Sequence, residues 1–159
     1  MIIISIHLFN FSSMDKQAPL FSSPDILHFP QETYFFKNII EDRWSKYSVT
    51  WAFLWWDEEP KRKAKMMSYR LKKEKFFAKA THNSYARRHK DEQWVISEWY
   101  VDDGETWAWI CILRELRKAQ CVNWWVVVTR YYGWIKLEWD RFRHVIDATK
   151  YLLLNWRGS

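Results

Sequence analysis

The sequence predicts an α+β fold: a single domain with a mostly antiparallel sheet and helices packed on one face. Its 159 residues are 48% hydrophobic, which is enough for one domain with a sizeable core. Only 3 Gly and 4 Pro stand against 13 Trp, so regular elements should fill most of the chain after residue 30. From there on, segments with strand composition and segments with helical periodicity follow one another.

The first thirty residues differ from the rest of the chain. Residues 1–30 mix serine and proline with unperiodic apolar residues, so we expect a poorly ordered leader, with Met14 as an alternative start, followed by one domain over residues 31–159. The leader lacks the basic region and cleavage site of a signal peptide, and no window approaches the ~18 apolar residues of a membrane span. The two cysteines cannot form a disulfide framework. These features predict an intracellular protein that does not cross a membrane.

The first predicted elements are a short helix and a strand. Residues 31–44 carry apolar side chains at helical spacing, namely Tyr34, Phe35, Ile39 and Ile40. Residues 48–56 are β-branched and aromatic and end at an acidic, proline-containing breaker. We therefore predict a helix over 31–44 and a strand, buried on both faces, over 48–56.

A basic helix is predicted next. Pro60 suits the first position of a helix, and the acidic residues before it suit the positive end of the helix dipole. A helix over residues 60–80 would place five lysines, which we call the lysine row, within a sector of roughly 80°. They are Lys61, Lys65, Lys72, Lys75 and Lys79. A hairpin that pairs residues 67–71 with 76–81 is the competing prediction.

The C-terminal half is predicted as strand, helix, two strands and helix. Residues 93–101 read as a strand that ends at an Asp-Asp-Gly turn. Residues 105–120 fit a helical stripe but also alternate like a strand, and the sequence leaves both open, with length in favour of a helix. Strands are predicted over 123–132 and 134–139, and a closing helix over 140–155.

The charge distribution is the feature that points to a function. Residues 60–90 hold 12 of the 25 basic residues and one acid, so this segment is +11 and the rest of the chain is −5. Aromatic residues lie between the cations, a combination that single-stranded nucleic acids bind through phosphates and stacked bases. The residues predicted to contact nucleic acid are Lys61, Lys65, Tyr69, Arg70, Lys72, Lys75, Phe76, Lys79, Arg87, Arg88 and Lys90.

The leading prediction is thus a small non-enzymatic protein that binds single-stranded nucleic acid or RNA. The alternative is a protein-interaction module or inhibitor that docks an acidic partner through a basic, Trp-rich surface. Such a composition is also typical of small viral or mobile-element proteins. Most tryptophans, including Trp125 and Trp139, are predicted to lie in the core.

The sequence gives little support for an enzyme. No cofactor, Gly-rich phosphate loop or serine-nucleophile motif is predicted. The spacing of His82, His89, Cys111 and Cys121 matches no familiar zinc site. A metal-dependent nuclease ranks third, because its carboxylates already have turn and cap roles: Asp102, Asp103, Glu105, Glu138 and Asp140. We therefore predict no catalytic residues and no metal site.

Overall fold

The computed structural model describes residues 33–54 and 60–156. The strands are β1 (Thr33–Asp42), β2 (Ser45–Phe53), β3 (His82–Lys90), β4 (Ile96–Val101) and β5 (Trp124–Tyr131). The helices are α1 (Pro60–Leu71), α2 (Lys75–Ala78), α3 (Ala108–Lys118) and α4 (Asp140–Asn155). The predicted leader, residues 1–30, lies outside the described residues. Within the described part, no helix is both long and apolar enough to cross a membrane.

The five strands form one antiparallel sheet in the order β1-β2-β5-β3-β4. The central strand, β5, pairs with β2 from Trp124 to Tyr131 and with β3 over most of the same length. Its side chains are almost all buried, as expected for a strand covered on both faces. The predicted fold class, α+β with an antiparallel sheet and helices, is confirmed.

Helices cover both faces of the sheet, where the sequence had placed them on one. Side chains of β5 alternate between two cores, because successive residues of a strand point to opposite faces. Trp124, Val126 and Val128 pack with α3 and α4. Trp125 and Val127 pack with α1 and α2.

The predicted helix over residues 31–44 is wrong, because the described residues Thr33–Asp42 of this segment form the edge strand β1. Tyr34 and Phe36 both stack on Trp51, and Phe35 between them points to the opposite face, where it meets Phe76. Successive side chains of this segment therefore alternate between the two faces of the sheet, as in a strand, and do not share one face as in a helix. Backbone pairing with β2, which local spacing does not report, decides between the two.

The basic helix is shorter than predicted, and the hairpin alternative for residues 67–81 is wrong. Helix α1 ends at Leu71, and a turn separates it from the four-residue α2. The chain then enters β3, a sheet strand that the sequence did not predict. The strand predicted over 134–139 is also wrong, since these residues form a loop. The other strands and the last two helices are confirmed, with ends shifted by a few residues.

Candidate functional site

The structure divides the predicted basic site among three elements. Lys65 and Tyr69 are exposed on α1 and Lys72 is exposed in the turn after it, whereas Arg70 is half-buried. Lys75 and Lys79 are exposed around α2, but Phe76 packs into the protein against Phe35 and Tyr131. For Lys61 only the backbone, within α1, belongs to the described part. The lysine row is therefore broken by the turn after Leu71 rather than continuous.

The cations of β3 are engaged in the fold. Arg87 is only 2% exposed. Arg88 binds the Glu98 carboxylate at 3.2 Å and donates to the Cys121 carbonyl at 2.9 Å. Lys90 lies 3.6 Å from the centre of the Trp94 ring. These three residues do not extend the lysine row, so the segment with charge +11 is not one solvent-facing surface.

Exposed tryptophans are the feature of the surface that stands out. Five in the described part of the chain are between 61% and 89% exposed: Trp44, Trp94, Trp107, Trp134 and Trp139. An exposed Trp of this kind is unusual, since large aromatics gain most from burial. Trp139 was predicted to be buried, and that prediction is wrong.

Four of these tryptophans lie at one end of the sheet. Strand β2 begins where β5 ends, because Lys46 pairs with Tyr131, and β3 begins and β4 ends at this same end. The turn after β1 and the loops before α3 and α4 therefore leave the sheet together. We call Trp44, Trp107, Trp134 and Trp139 the tryptophan end. Trp94 lies in the β3–β4 turn at the opposite end.

Close backbone packing holds two parts of the tryptophan end together. A Cβ on Gly133 would lie 2.2 Å from the carbonyl carbon of Trp44 and 2.3 Å from the amide nitrogen of Ser45. The Gly133 amide donates to the Ser45 hydroxyl at 3.0 Å. Arg43 donates to the Lys136 carbonyl at 3.3 Å. The β1–β2 turn and the loop 132–139 thus form one platform.

Replacing Gly133 with alanine should lower the free energy of unfolding by about 1–3 kcal/mol, because the new methyl group meets backbone that cannot move away cheaply. Urea denaturation measures this change. Trp134→Ala is the matched control next to it; this side chain is 89% exposed, so its effect should stay within about 0.5 kcal/mol. Equal stability of the two variants would contradict the close packing.

A buried ion pair lies next to the tryptophan end, at the end of β5. Arg130 Nη1 lies 2.5 Å from Glu105 Oε1, and both side chains are almost fully buried. The guanidinium carbon is 5.9 Å from the centre of the Tyr47 ring and 5.6 Å from that of Tyr132. Glu105 precedes Trp107 by two residues, so the pair ties the loop before α3 to the end of β5.

A second polar cluster joins the end of β1 to helix α4. Asp42 accepts hydrogen bonds from Arg43 and from the His144 ring, which lower the pKa of the Asp42 carboxyl. Arg43 also pairs with Asp140 at the start of α4. Near the end of β4, Asp103 binds the Lys72 ammonium at 2.6 Å and accepts a hydrogen bond from the backbone N–H of Asn83 at 2.8 Å. Within the described residues, no group of three His, Cys, Asp or Glu side chains is arranged to hold a metal ion.

Comparison with known families gives the context of this surface. Residues 48–153 match the model of the Impact N-terminal domain. This match covers about two thirds of the chain and runs from β2 to the last turns of α4. The chain belongs to the Impact N-terminal domain family.

Relatives within this family share moderate sequence identity. The Protein IMPACT homolog of Dictyostelium discoideum is 42% identical over 74 residues, which are 46% of this chain and 21% of that protein. Protein IMPACT of Homo sapiens is 37% identical over 95 residues, which are 58% of this chain and 29% of that protein. The chain therefore spans less than a third of the length of these relatives.

Solved structures agree with the fold. A two-domain translational regulator, Yih1, superposes with a TM-score of 0.52 at 27% identity, over 76% of this chain and 46% of that one. A hypothetical protein superposes with a TM-score of 0.57 at 17% identity, over 77% and 61%, and shows the fold alone.

The prediction of a nucleic-acid-binding protein is wrong, and so is the suggestion of a viral or mobile-element origin. Membership of the Impact N-terminal domain family and the likeness to a translational regulator overturn both. The physical reason for the first error is that a count of charges along the chain treats Arg87 and Arg88 as surface cations. They belong to a sheet strand.

Sequence reasoning missed the tryptophan end because it assigned most tryptophans to the core. Four of the five exposed ones have a positive φ, between 65° and 76°: Trp44, Trp94, Trp107 and Trp134. Such backbone occurs in turns and is costly for a large side chain. The only signal in the sequence was the position of Trp107 and Trp134 just after turn residues, Gly104 and Gly133.

Proposed function

We propose that this chain is a non-enzymatic protein-interaction domain of a translational regulator, and that the tryptophan end docks its protein partner. Two findings support the proposal. The chain belongs to the Impact N-terminal domain family and is similar to Protein IMPACT. The solved structure to which it is similar is that of Yih1, a two-domain translational regulator. Docking of a protein was the alternative prediction from the sequence.

The single observation that carries the proposal is that four exposed tryptophans lie at one end of the sheet, three of them on the platform formed by the β1–β2 turn and the loop 132–139. Tryptophan is enriched among the residues that dominate binding at protein interfaces, because it buries a large area with few rotatable bonds. Trp44 and Trp134 lie on segments joined through Gly133, and the Trp134 ring is 5.9 Å from that of Tyr132. An apolar surface held in this way needs little ordering on binding.

The charge of the domain supports an acidic partner. The chain carries a net charge of +6, and exposed lysines lie on α1 and α2, in the turn between them and just after α2. A positive surface speeds the encounter with a negative one and disfavours other partners. In support of a non-enzymatic role, the carboxylates near this end hold the fold: Glu105 pairs with Arg130, and Asp103 with Lys72.

A domain exchange tests the proposal. The part of Yih1 that superposes on this chain is replaced by residues 33–156, and translational regulation by the chimera is compared with that of intact Yih1 and of Yih1 without the domain. We expect the chimera to regulate translation and the truncated protein to fail. A chimera that accumulates to the normal level and yet behaves like the truncated protein would contradict the proposal.

A further inference from the structure

The two edges of the sheet differ in how well they are protected. The outer strand β1 is irregular between Phe36 and Ile40, and Asn38 within it has a φ of 50°. Lys37 is exposed beside this irregularity. A bulge and an exposed lysine are the usual means by which proteins prevent a further strand from pairing with an edge.

The opposite edge, β4, has none of these features. It pairs residue by residue with β3 from Ile96 to Val101, without a bulge, a lysine or a proline. Within the described residues it has no strand on its outer side. Ile96 is 44% and Tyr100 45% exposed, so apolar side chains stand beside unpaired backbone groups. This edge is therefore open to a further strand.

Helix α1 gives this edge a positive border. Trp99 and Val101 of β4 pack into the core beneath α1. Lys72 follows the last residue of the helix, and its Nζ lies 2.6 Å from Oδ1 of Asp103, just beyond the end of β4. Lys65 stands two helical turns earlier and within about 20° of Lys72 around the helix axis, so both lie on the same side.

A buried cation without an acid points toward the same edge. Nη2 of Arg87 reaches 3.4 Å from the hydroxyl of Ser97, an exposed residue of β4. Its Nε and Nη1 are buried without a hydrogen-bond partner, and among the described residues no carboxylate pairs with it. Burial lowers the pKa of the Arg87 guanidinium. An uncompensated buried charge is costly, so a carboxylate that reached it would bind favourably.

We propose that the free edge of β4 binds an extended acidic segment of the protein partner as a sixth strand, and that a carboxylate of this segment pairs with Arg87. This inference rests on the proposed function and names the partner's binding element. The added strand would lie two strand spacings, about 10 Å, from β3. An arginine and a glutamate that extend toward each other from the same face can span this distance. Backbone hydrogen bonds supply affinity, and the alternate side chains supply the charge selection.

The probe is an acetylated octapeptide in which glutamate alternates with valine or threonine, so that all its carboxylates share one face. Its control is the same peptide with glutamine at each glutamate. Calorimetry measures affinity, and backbone amide shifts of the isotope-labelled domain locate the peptide. We expect the acidic peptide to bind about tenfold or more tightly than the glutamine peptide, with shifts concentrated in β4.

Two variants test the role of charge. Arg87→Met should lower the affinity for the acidic peptide about tenfold. It should leave the melting temperature of the free protein unchanged or higher, because it removes an unpaired buried charge. Lys65→Glu should also lower the affinity for the acidic peptide. Lys37→Glu makes the same charge change at the β1 edge and should leave the affinity unchanged.

Three results would overturn the proposal. One is equal affinity for the glutamate and glutamine peptides, and another is amide shifts concentrated away from β4 and Arg87. The third is a dimer of the free chain by sedimentation whose β4 amide shifts change with protein concentration, which would show a second copy of the chain on β4. Failure of this proposal is distinguishable from failure of the proposed function, because the domain exchange measures translational regulation and uses no peptide. A chimera that regulates translation, together with no peptide binding at β4, would reject the sixth strand and leave the proposed function in place.

Discussion

Replacing Trp125 with alanine should lower the free energy of unfolding by on the order of 3–5 kcal/mol, the usual cost of removing a buried large aromatic. Trp125 lies on the central strand and is only 1% exposed. Its indole nitrogen donates to the Ser68 hydroxyl at 3.2 Å, so the side chain also joins β5 to α1. Urea denaturation of the two proteins measures the difference.

Trp139→Ala is the matched control for this change. Trp139 is 82% exposed, and its removal should alter stability by no more than about 0.5 kcal/mol. The sequence had treated both residues as core, whereas the structure separates them. A loss of several kcal/mol at Trp139, or none at Trp125, would contradict the assignment of these two residues to surface and core.

Replacing Glu105 with alanine should cost about 3–5 kcal/mol, because it leaves Arg130 as a buried charge without its partner. The two side chains are 3% and 8% exposed, and their ion pair joins the loop before α3 to the end of β5. Thermal or urea unfolding measures the loss.

The double variant Glu105→Leu with Arg130→Met is the control for this pair. Apolar side chains of similar volume can replace a buried ion pair at little net cost, so the double variant should regain most of the lost stability. A double variant that is less stable than Glu105→Ala would show that these residues do not act as a pair.

Apart from the loop over 134–139, the C-terminal half of the fold is predictable from the sequence, because its signals are local. Helix α4 begins with an acid in its first turn, Asp140, and carries its apolar residues on one face over sixteen residues. Strand β5 is a run of β-branched and aromatic residues between turns. The helix favoured over residues 105–120 is confirmed as α3, which buries one stripe of its surface.

Strand β3 was not predictable from its own residues. Its sequence, from His82 to Lys90, is mostly polar, which is typical of a surface segment. Groups far along the chain satisfy these side chains: the side-chain oxygen of Asn83 accepts from the Thr129 hydroxyl, and Arg88 donates to the Cys121 carbonyl. Because partners so far along the chain decide the burial, no local pattern reports it.

The candidate site was out of reach of sequence reasoning for a similar reason. The sequence around a tryptophan does not show whether the fold buries its side chain. The tryptophan end exists because three connections leave the sheet at one end, which depends on the strand order. The basic segment attracted a functional prediction because charge is visible in the sequence, whereas the burial of Arg87 is not.

We propose that the tryptophan end carries the regulatory contact, and a pair of chimeras tests this role most directly. One carries Trp134→Ser and Trp139→Ser, and the other carries Trp94→Ser, which changes a tryptophan that is 75% exposed at the opposite end. Both should fold with the melting temperature of the unchanged domain, since all three side chains are exposed. We predict that the first chimera loses translational regulation and that the second keeps it. Full regulation by the first chimera, or equal loss in both, would contradict the account.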